Sequence, residues 1–203
     1  YYLGDFDGYE FKTDGIRHEA YKTSIPYAAQ TFWGTKDVIT IPWLRTENKG
    51  KLYRSGMGLP KKMTLTETKK GLRLRLSHVE EFLKARVNVH SSCGEGKVFH
   101  MMQKESALEV CIHMEEPGDF SLNLCGTTVV YTASCGKLSV GNDTVELDQS
   151  ANDFSIIADR EIIEVTAQNG LIYAVFETEK GKKGGTVTVE TSKKADVDIY
   201  RVD

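Results

Sequence analysis

At 203 residues the chain is long enough for one large β domain or two small ones, either with a real core. Its hydrophobic share of 40%, charged share of 27% and 18 glycines are those of an ordinary globular protein. A net charge of −3 supplies no general basic field for nucleic acid or an anionic membrane surface, and no apolar run reaches the eighteen or so residues of a membrane-spanning helix.

The first residues, Tyr1-Tyr2-Leu3, have the composition of a strand interior, and the chain does not begin with Met. They read as part of a longer polypeptide. Gly4-Asp5-Phe6-Asp7-Gly8 reads as a turn between two strands, because Asp and Gly tolerate the dihedrals a turn demands. Asp5 and Asp7 invite a catalytic reading as paired carboxylates. On an extended strand they would lie about 7 Å apart, whereas a retaining glycosidase holds its carboxyls at about 5–5.5 Å, and the turn reading is preferred. A calcium loop would need further oxygen ligands that the stretch lacks. Residues 13–24 form a charged connection without a clear period.

Tyr27–Phe32 and Val38–Trp43 are rich in aromatic and β-branched residues and read as strands. The intervening Trp33-Gly34-Thr35-Lys36-Asp37 predicts a hairpin. Pro42 predicts an edge position or a bulge. Trp43 suits stacking on a sugar ring or packing in a core, and the residues leave both open. Arg54–Leu65 continues as strand, and Leu72, Leu74 and Leu76 alternate with Arg73 and Arg75 as a strand with one wet face does. Ser77–Arg86 is the one helical segment predicted, with Ser77 as its cap and Glu80 completing a capping box; a domain boundary is placed here.

Beyond Val98 the chain reads as short strands. Leu108, Val110, Ile112 and Met114 alternate with Glu109, Cys111 and His113, and Leu122 and Leu124 alternate with Ser121 and Asn123. Leu138–Val140 and Val145–Leu147 predict a hairpin around Gly141-Asn142-Asp143. Ile162–Gln168 and Leu171–Phe176 predict another, with Asn169-Gly170 as a type I′ turn. Val187, Val189, Val197, Ile199 and Val202 supply the last strands. Asp159, Arg160 and Glu164 read as a surface ion pair or a cross-strand contact. The basic Lys180–Gly185 cluster reads as a loop tip without the aromatics that stack bases. The four cysteines, Cys93, Cys111, Cys125 and Cys135, form no C-x-x-C pair and read as buried free thiols. His90-Ser91-Ser92-Cys93 and Cys111-Ile112-His113 lack the paired spacing of a structural zinc site, so neither a metal nor a cofactor is expected.

Five stretches, in order, resemble the C-terminal half of glycoside hydrolase family 32, the invertase, levanase and inulinase group. Gly4-Asp5-Phe6-Asp7-Gly8 matches its G-D-F/Y-D-G turn, and Tyr27-Ala28-Ala29-Gln30-Thr31-Phe32 its F-Y-A-A-Q-T-F strand. Pro42-Trp43-Leu44 stands at its G-W-M, Arg54–Leu65 at its strand into L-P-R-E-L (here Leu59-Pro60-Lys61-Lys62-Met63), and Ala158–Val165 at its D-R-S-x-V-E-V-F run. Tyr21–Pro26 lacks the Gly and acid of the family's D-Y-G-x-D-F, and Glu47 or a neighbour replaces its second Trp.

The resemblance implies an all-β chain, an antiparallel β-sandwich preceded by the last strands of a five-bladed β-propeller. Residues 1–76 would be the end of the propeller, 77–88 a linker helix and 89–203 the sandwich. It also implies a retaining β-fructosidase as parent. The family's catalytic motifs, W-M-N-D-P-N-G, R-D-P and an E-C run, do not occur here, and Asn142-Asp143 is the nearest approach. No catalytic residue is therefore assigned. Tyr27 and Trp43 are the candidate sugar contacts, and the partners implied are a β-fructoside and either the missing propeller blades or a second copy of the chain. The alternative is a non-catalytic sandwich that binds carbohydrate or serves as a structural module.

Overall fold

The computed structural model describes residues 1–47, 52, 54–101, 107–124, 126–178 and 185–202, without the side chains of 99–101. Cys125 and Lys180–Gly184 of the basic cluster lie outside the described residues. A small hairpin of β1 (Gly4–Phe6) and β2 (Phe11–Thr13) comes first. An antiparallel sheet follows, built from β3 (Pro26–Thr31), β4 (Ile39–Leu44), β5 (Gly56–Met57), β6 (Lys61–Thr68) and β7 (Gly71–His78). Its order is β3-β4-β6-β7, with β5 also on β4. One short helix, α1 (Glu80–Ala85), leads into the long strand β8 (Arg86–Met101).

The rest is strand: β9 (Ala107–Met114), β10 (Phe120–Leu124), β11 (Thr127–Thr132), β12 (Lys137–Val140), β13 (Asp143–Glu146), β14 (Asp153–Asp159), β15 (Ile162–Ala167), β16 (Ile172–Glu177) and β17 (Thr186–Val202). β8 runs along one side of β17 over nearly its whole length. On the other side, β10 pairs with Val187–Thr191 and β9 with Ala195–Val202. The register breaks between Thr191 and Ala195, and such an irregularity bends a strand. β17 and β8 thus pass from one sheet into the other, and β13-β12-β11-β10 faces β9-β14-β15-β16 across a core.

Period-two alternation builds that core. Leu122, Val129 and Leu138 from one sheet and Val110, Ile112, Ile156 and Val165 from the other point inward and are buried. Phe120, Tyr131 and Phe154 meet at its centre, with ring centroids 4.8–5.9 Å apart. Each large apolar side chain buried in this way stabilises the fold by about 1.5–3 kcal/mol. The chain is an antiparallel β-sandwich preceded by a further sheet.

That sheet forms a third layer on the outer face of β14–β16. Leu44 and Leu76 pack there against Tyr173 and Val175, and Val79 and Phe82 pack on Ile157. β15 and β16 are covered on both faces, which is why their sequences, Ile162–Ala167 and Ile172–Glu177, read as nearly continuous apolar runs. The charged connection covers the edge of β16: Thr23 Oγ1 donates to Val175 O at 2.8 Å and accepts from Val175 N at 3.0 Å.

Several local expectations are corrected. Tyr1–Leu3 precede the first strand, and the turn is Asp7–Glu10, where Asp7 Oδ1 accepts from the amides of Tyr9 and Glu10 at 3.0 and 2.9 Å. Pro42 is not at an edge but beside a bulge, the other setting expected of it, since Ala29 pairs with Pro42 and Pro26 with Leu44. It is tolerated because β4 pairs with β6 only at Ile39 and Thr40 and with β5 at Trp43 and Leu44, leaving a gap at Pro42. α1 starts after Val79, with no side-chain cap, because Ser77 and His78 are the last residues of β7, paired with Lys62 and Lys61. The β15–β16 turn is as expected, with Asn169 (φ 53°, ψ 34°) and Gly170 (φ 89°) as the central positive-φ pair of a type I′ turn and Leu171 N donating to Gln168 O at 3.1 Å; only the ladder closes one residue further out on each strand, at Ala167–Ile172. Gln168, Asn169 and Gly170 all have positive φ there, and a Cβ at Gly170 would meet Leu76 O at 2.6 Å. Cys93 and Cys135 are exposed free thiols, because β8 is an outer strand and Cys135 sits in the turn after β11. β17 separates His90 and Cys93 on β8 from Cys111 and His113 on β9.

Candidate functional site

Tyr27 and Trp43, which the sequence singles out, lie on adjacent strands and meet. Their ring centroids are 6.1 Å apart with planes at 72°, an edge-to-face contact. The backbone makes this meeting possible. Pro26 pairs with Leu44 and Ala29 with Pro42, so Tyr27 and Ala28 together oppose Trp43 alone, a bulge that re-aims the β3 side chains. Both rings point away from the sandwich, Tyr27 64% and Trp43 38% exposed. Arg45, two residues on from Trp43, lays its guanidinium 4.2 Å over the Tyr27 ring and donates to Ser24 O at 2.9 Å. Met57, paired with Trp43 across β4 and β5, extends the apolar patch. Aromatic faces beside a fixed guanidinium suit a ligand with apolar C–H faces and hydroxyl groups, and this is contact chemistry, not proton transfer.

The carboxylates are elsewhere. Asp7 is spent on its turn and on Lys12 at 3.2 Å, and those bonds hold its carboxyl below the usual range. Asp5 is exposed on β1. Asp159 and Arg160 are exposed at the β14–β15 turn, with Arg160 at φ 56°, and Glu164 is not brought to them. Among the described residues, Glu109 and Glu164 are the buried carboxylates, and both lie between the third layer and the sandwich.

There Glu164 Oε1 accepts from the Leu59 amide at 2.9 Å and Oε2 from the Tyr173 hydroxyl at 2.8 Å, with Lys61 Nζ 4.0 Å away. Lys61, fully buried, also contacts Thr166 Oγ1 and His78 Nδ1, each at 3.2 Å. His78 Nε2 lies 3.0 Å from Ser155 Oγ, which donates to Glu109 Oε1 at 2.6 Å, and Arg86 pairs with Glu109 Oε2. Burial pulls Lys61 down to about 8 against the attraction of Glu164 and Glu109. Burial, then the charges of Lys61 and Arg86, pulls His78 down to about 2. Burial pushes the Cys111 thiol up to about 12 and raises the Tyr173 phenol, whose proton Glu164 also holds.

Sequence reading did not find this cluster. Glu109 sits at a polar position of an alternating strand, which reads as a wet face, and only the third layer makes it dry. The available signal was Lys61 in a strand that returns through His78, two polar residues at inward positions.

No family model matches the sequence, and no curated protein matches it. Solved structures match its fold over essentially the whole chain. The exo-inulinase of Aspergillus awamori aligns with a TM-score of 0.78 at 16% identity, covering 100% of this chain and 49% of that one. A glycoside hydrolase family 32 β-fructofuranosidase of Bombyx mori aligns at 0.76 and 18% identity, covering 99% and 46%. The β-fructofuranosidase of Schwanniomyces occidentalis, complexed with fructosyl-erythritol, aligns at 0.70 and 16%, covering 99% and 52%. The chain therefore spans about half the length of the structures it matches. At these identities the likeness establishes the fold, and it runs through both the first sheet and the sandwich.

Proposed function

We propose that this chain is the C-terminal half of a β-fructoside hydrolase of the family 32 type, in which β3–β7 end a β-propeller and residues 89–203 form the sandwich. The observation that carries this reading is the single alignment that runs through sheet and sandwich alike and covers about half of a fructoside-acting enzyme. In this reading the nucleophile and the proton donor lie outside these 203 residues. Retaining hydrolysis needs two carboxyls about 5–5.5 Å apart around the scissile bond, and the two buried carboxylates here are held by structural partners. The outward face carrying Tyr27, Trp43 and Met57 would meet the preceding blades or a second copy of the chain, with Tyr27 and Trp43 at its sugar-contacting margin. A non-catalytic carbohydrate-binding module is the second reading, favoured by the exposure of that aromatic pair.

Two measurements test the proposal. Purified residues 1–203 should show no hydrolysis of sucrose, inulin or levan above background, and turnover that disappears in Asp5→Asn would overturn it. The intact gene product should have about twice the mass of this chain, with a W-x-N-D-P-x-G run upstream of Tyr1. A product of this length alone would favour the module. In that case fructan should quench the fluorescence of Trp43 in the wild type and not that of Tyr27→Ala.

A further inference from the structure

The joint between the first sheet and the sandwich is built on one neutral imidazole. An ammonium carries three donors and no acceptor, so the 3.2 Å contact between Lys61 and His78 requires Nδ1 to accept. The ring proton then sits on Nε2 and donates to Ser155 Oγ, whose own hydrogen goes to Glu109 Oε1. Arg86 fills Glu109 Oε2. Every neighbouring element contributes to the setting. β6 brings Lys61, α1 stacks Phe82 on the ring at 4.7 Å, and β14 brings Ser155. β9 brings Glu109 and Cys111, and β8 brings Arg86, which lies 4.0 Å over Tyr200 of β17. β15 brings Glu164 and Thr166 to Lys61.

The charges balance as they stand: Lys61 and Arg86 against Glu109 and Glu164. A second proton on His78 would add a third cation to a buried site and set an N–H against the Lys61 ammonium. Two of the polar groups, Lys61 and His78, belong to the first sheet, and the polar groups they meet, Ser155, Glu109, Glu164 and Thr166, belong to the sandwich. Separating the layers returns both bases to water. Among the described residues the buried charged side chains are Lys61, Glu109 and Glu164, all at this joint, so acid has no comparable hold on the inner core of the sandwich.

We propose that this joint is an acid-sensitive latch: it stays closed while His78 is neutral, and acidification releases β6 and β7 from the sandwich before the sandwich itself unfolds. The downward displacement of the His78 pKa agrees with this, since the closed joint disfavours the imidazolium. A free imidazole titrates near 6.5, so each pH unit below that shifts the equilibrium toward release by up to about tenfold. The latch concerns how the layers hold together and is independent of what the aromatic face binds.

Amide hydrogen exchange on the whole chain between pH 7.5 and 4, corrected for intrinsic exchange rates, tests it. Protection of β6 and β7 should fall by up to about tenfold per unit below pH 6.5 while β10–β12 stay protected. His78→Gln, which keeps an acceptor for Lys61 and a donor for Ser155 without a titratable charge, should flatten that dependence. Nitrogen-15 shifts of His78 in the unaltered protein give a second readout should the variant not fold: the ring should remain the neutral Nε2–H tautomer until β6 and β7 open. The proposal is overturned by loss of protection in both layers together, by protection of β6 and β7 that does not change with pH, or by an unaltered profile in His78→Gln. Titration of His78 near 6.5 with the sheet still docked would overturn it equally.

Discussion

Glu164 is the residue on which the joint can be tested most sharply, by comparing Glu164→Ala with Glu164→Gln. In the alanine variant the Leu59 amide and the Tyr173 hydroxyl lose their acceptor inside a dry interface. A buried donor left unmade costs about 1–3 kcal/mol. Lys61 also loses a carboxylate 4.0 Å away, but that loss has a ceiling. Its pKa already stands at about 8, so at pH 7 one further unit of depression neutralises it, a limit of about 1.4 kcal/mol. Two such donors and the loss at Lys61 give about 2–7 kcal/mol for Glu164→Ala, a span that contains the values found for breaking a buried pair. For a chain of 203 residues that is a drop of about 4–28 °C in melting temperature. Glu164→Gln keeps an oxygen for the Leu59 amide and should cost only about 1–2 kcal/mol, mostly the charge term. That remainder should shrink at pH 9, where Lys61 is already largely neutral. Urea and thermal unfolding at pH 7 and pH 9 read both numbers. If Glu164→Ala lies within about 1 kcal/mol of the wild type, or is no worse than Glu164→Gln, the hydrogen bonds described here do not hold the interface.

Other substitutions probe other links. Lys61 is protonated in the unfolded chain up to its ordinary value of 10.5 and loses its proton near 8 when folded, so stability should rise with pH between those values; Lys61→Met should abolish that rise in urea titrations. Leu122→Ala empties a fully buried position between the two sandwich sheets and should cost about 2–5 kcal/mol by the same measurement. Gly170→Ala forces a Cβ to 2.6 Å from Leu76 O at φ 89° and should destabilise by about 1–3 kcal/mol, whereas Gly8→Ala, at φ 100° with open space around it, should cost less. Trp43→Ala, on the exposed face, should leave the melting temperature within about 2 °C of the wild type, because it removes no core contact.

Much of the architecture was legible in the chain because it rests on local rules. Alternation at Leu108–Met114 and Phe120–Leu124 sets which side chains enter the core, and this needs only the two-residue period of a strand. The hairpins at Gly141-Asn142 and around Asn169-Gly170 follow from residues that accept positive φ. Tyr27 and Trp43 were legible as candidates through their resemblance to known strands. Their contact was not, because it depends on the bulge between Pro26 and Ala29.

Three features belong to tertiary structure alone. The tight fit at Gly170 is decided by the approach of the Leu76 carbonyl, which lies on another layer. The helix begins late because pairing with Lys61 holds His78 in β7, and a ladder bond outweighs the local preference of Ser77 for a cap. The buried chain from Tyr173 through Glu164, Lys61, His78, Ser155 and Glu109 to Arg86 draws on residues more than a hundred positions apart. Glu109, for one, stands at a polar position of an alternating strand and looks like any solvent-facing residue. A polar outward face is wet or dry according to what covers it, and the covering sheet is brought there by the fold.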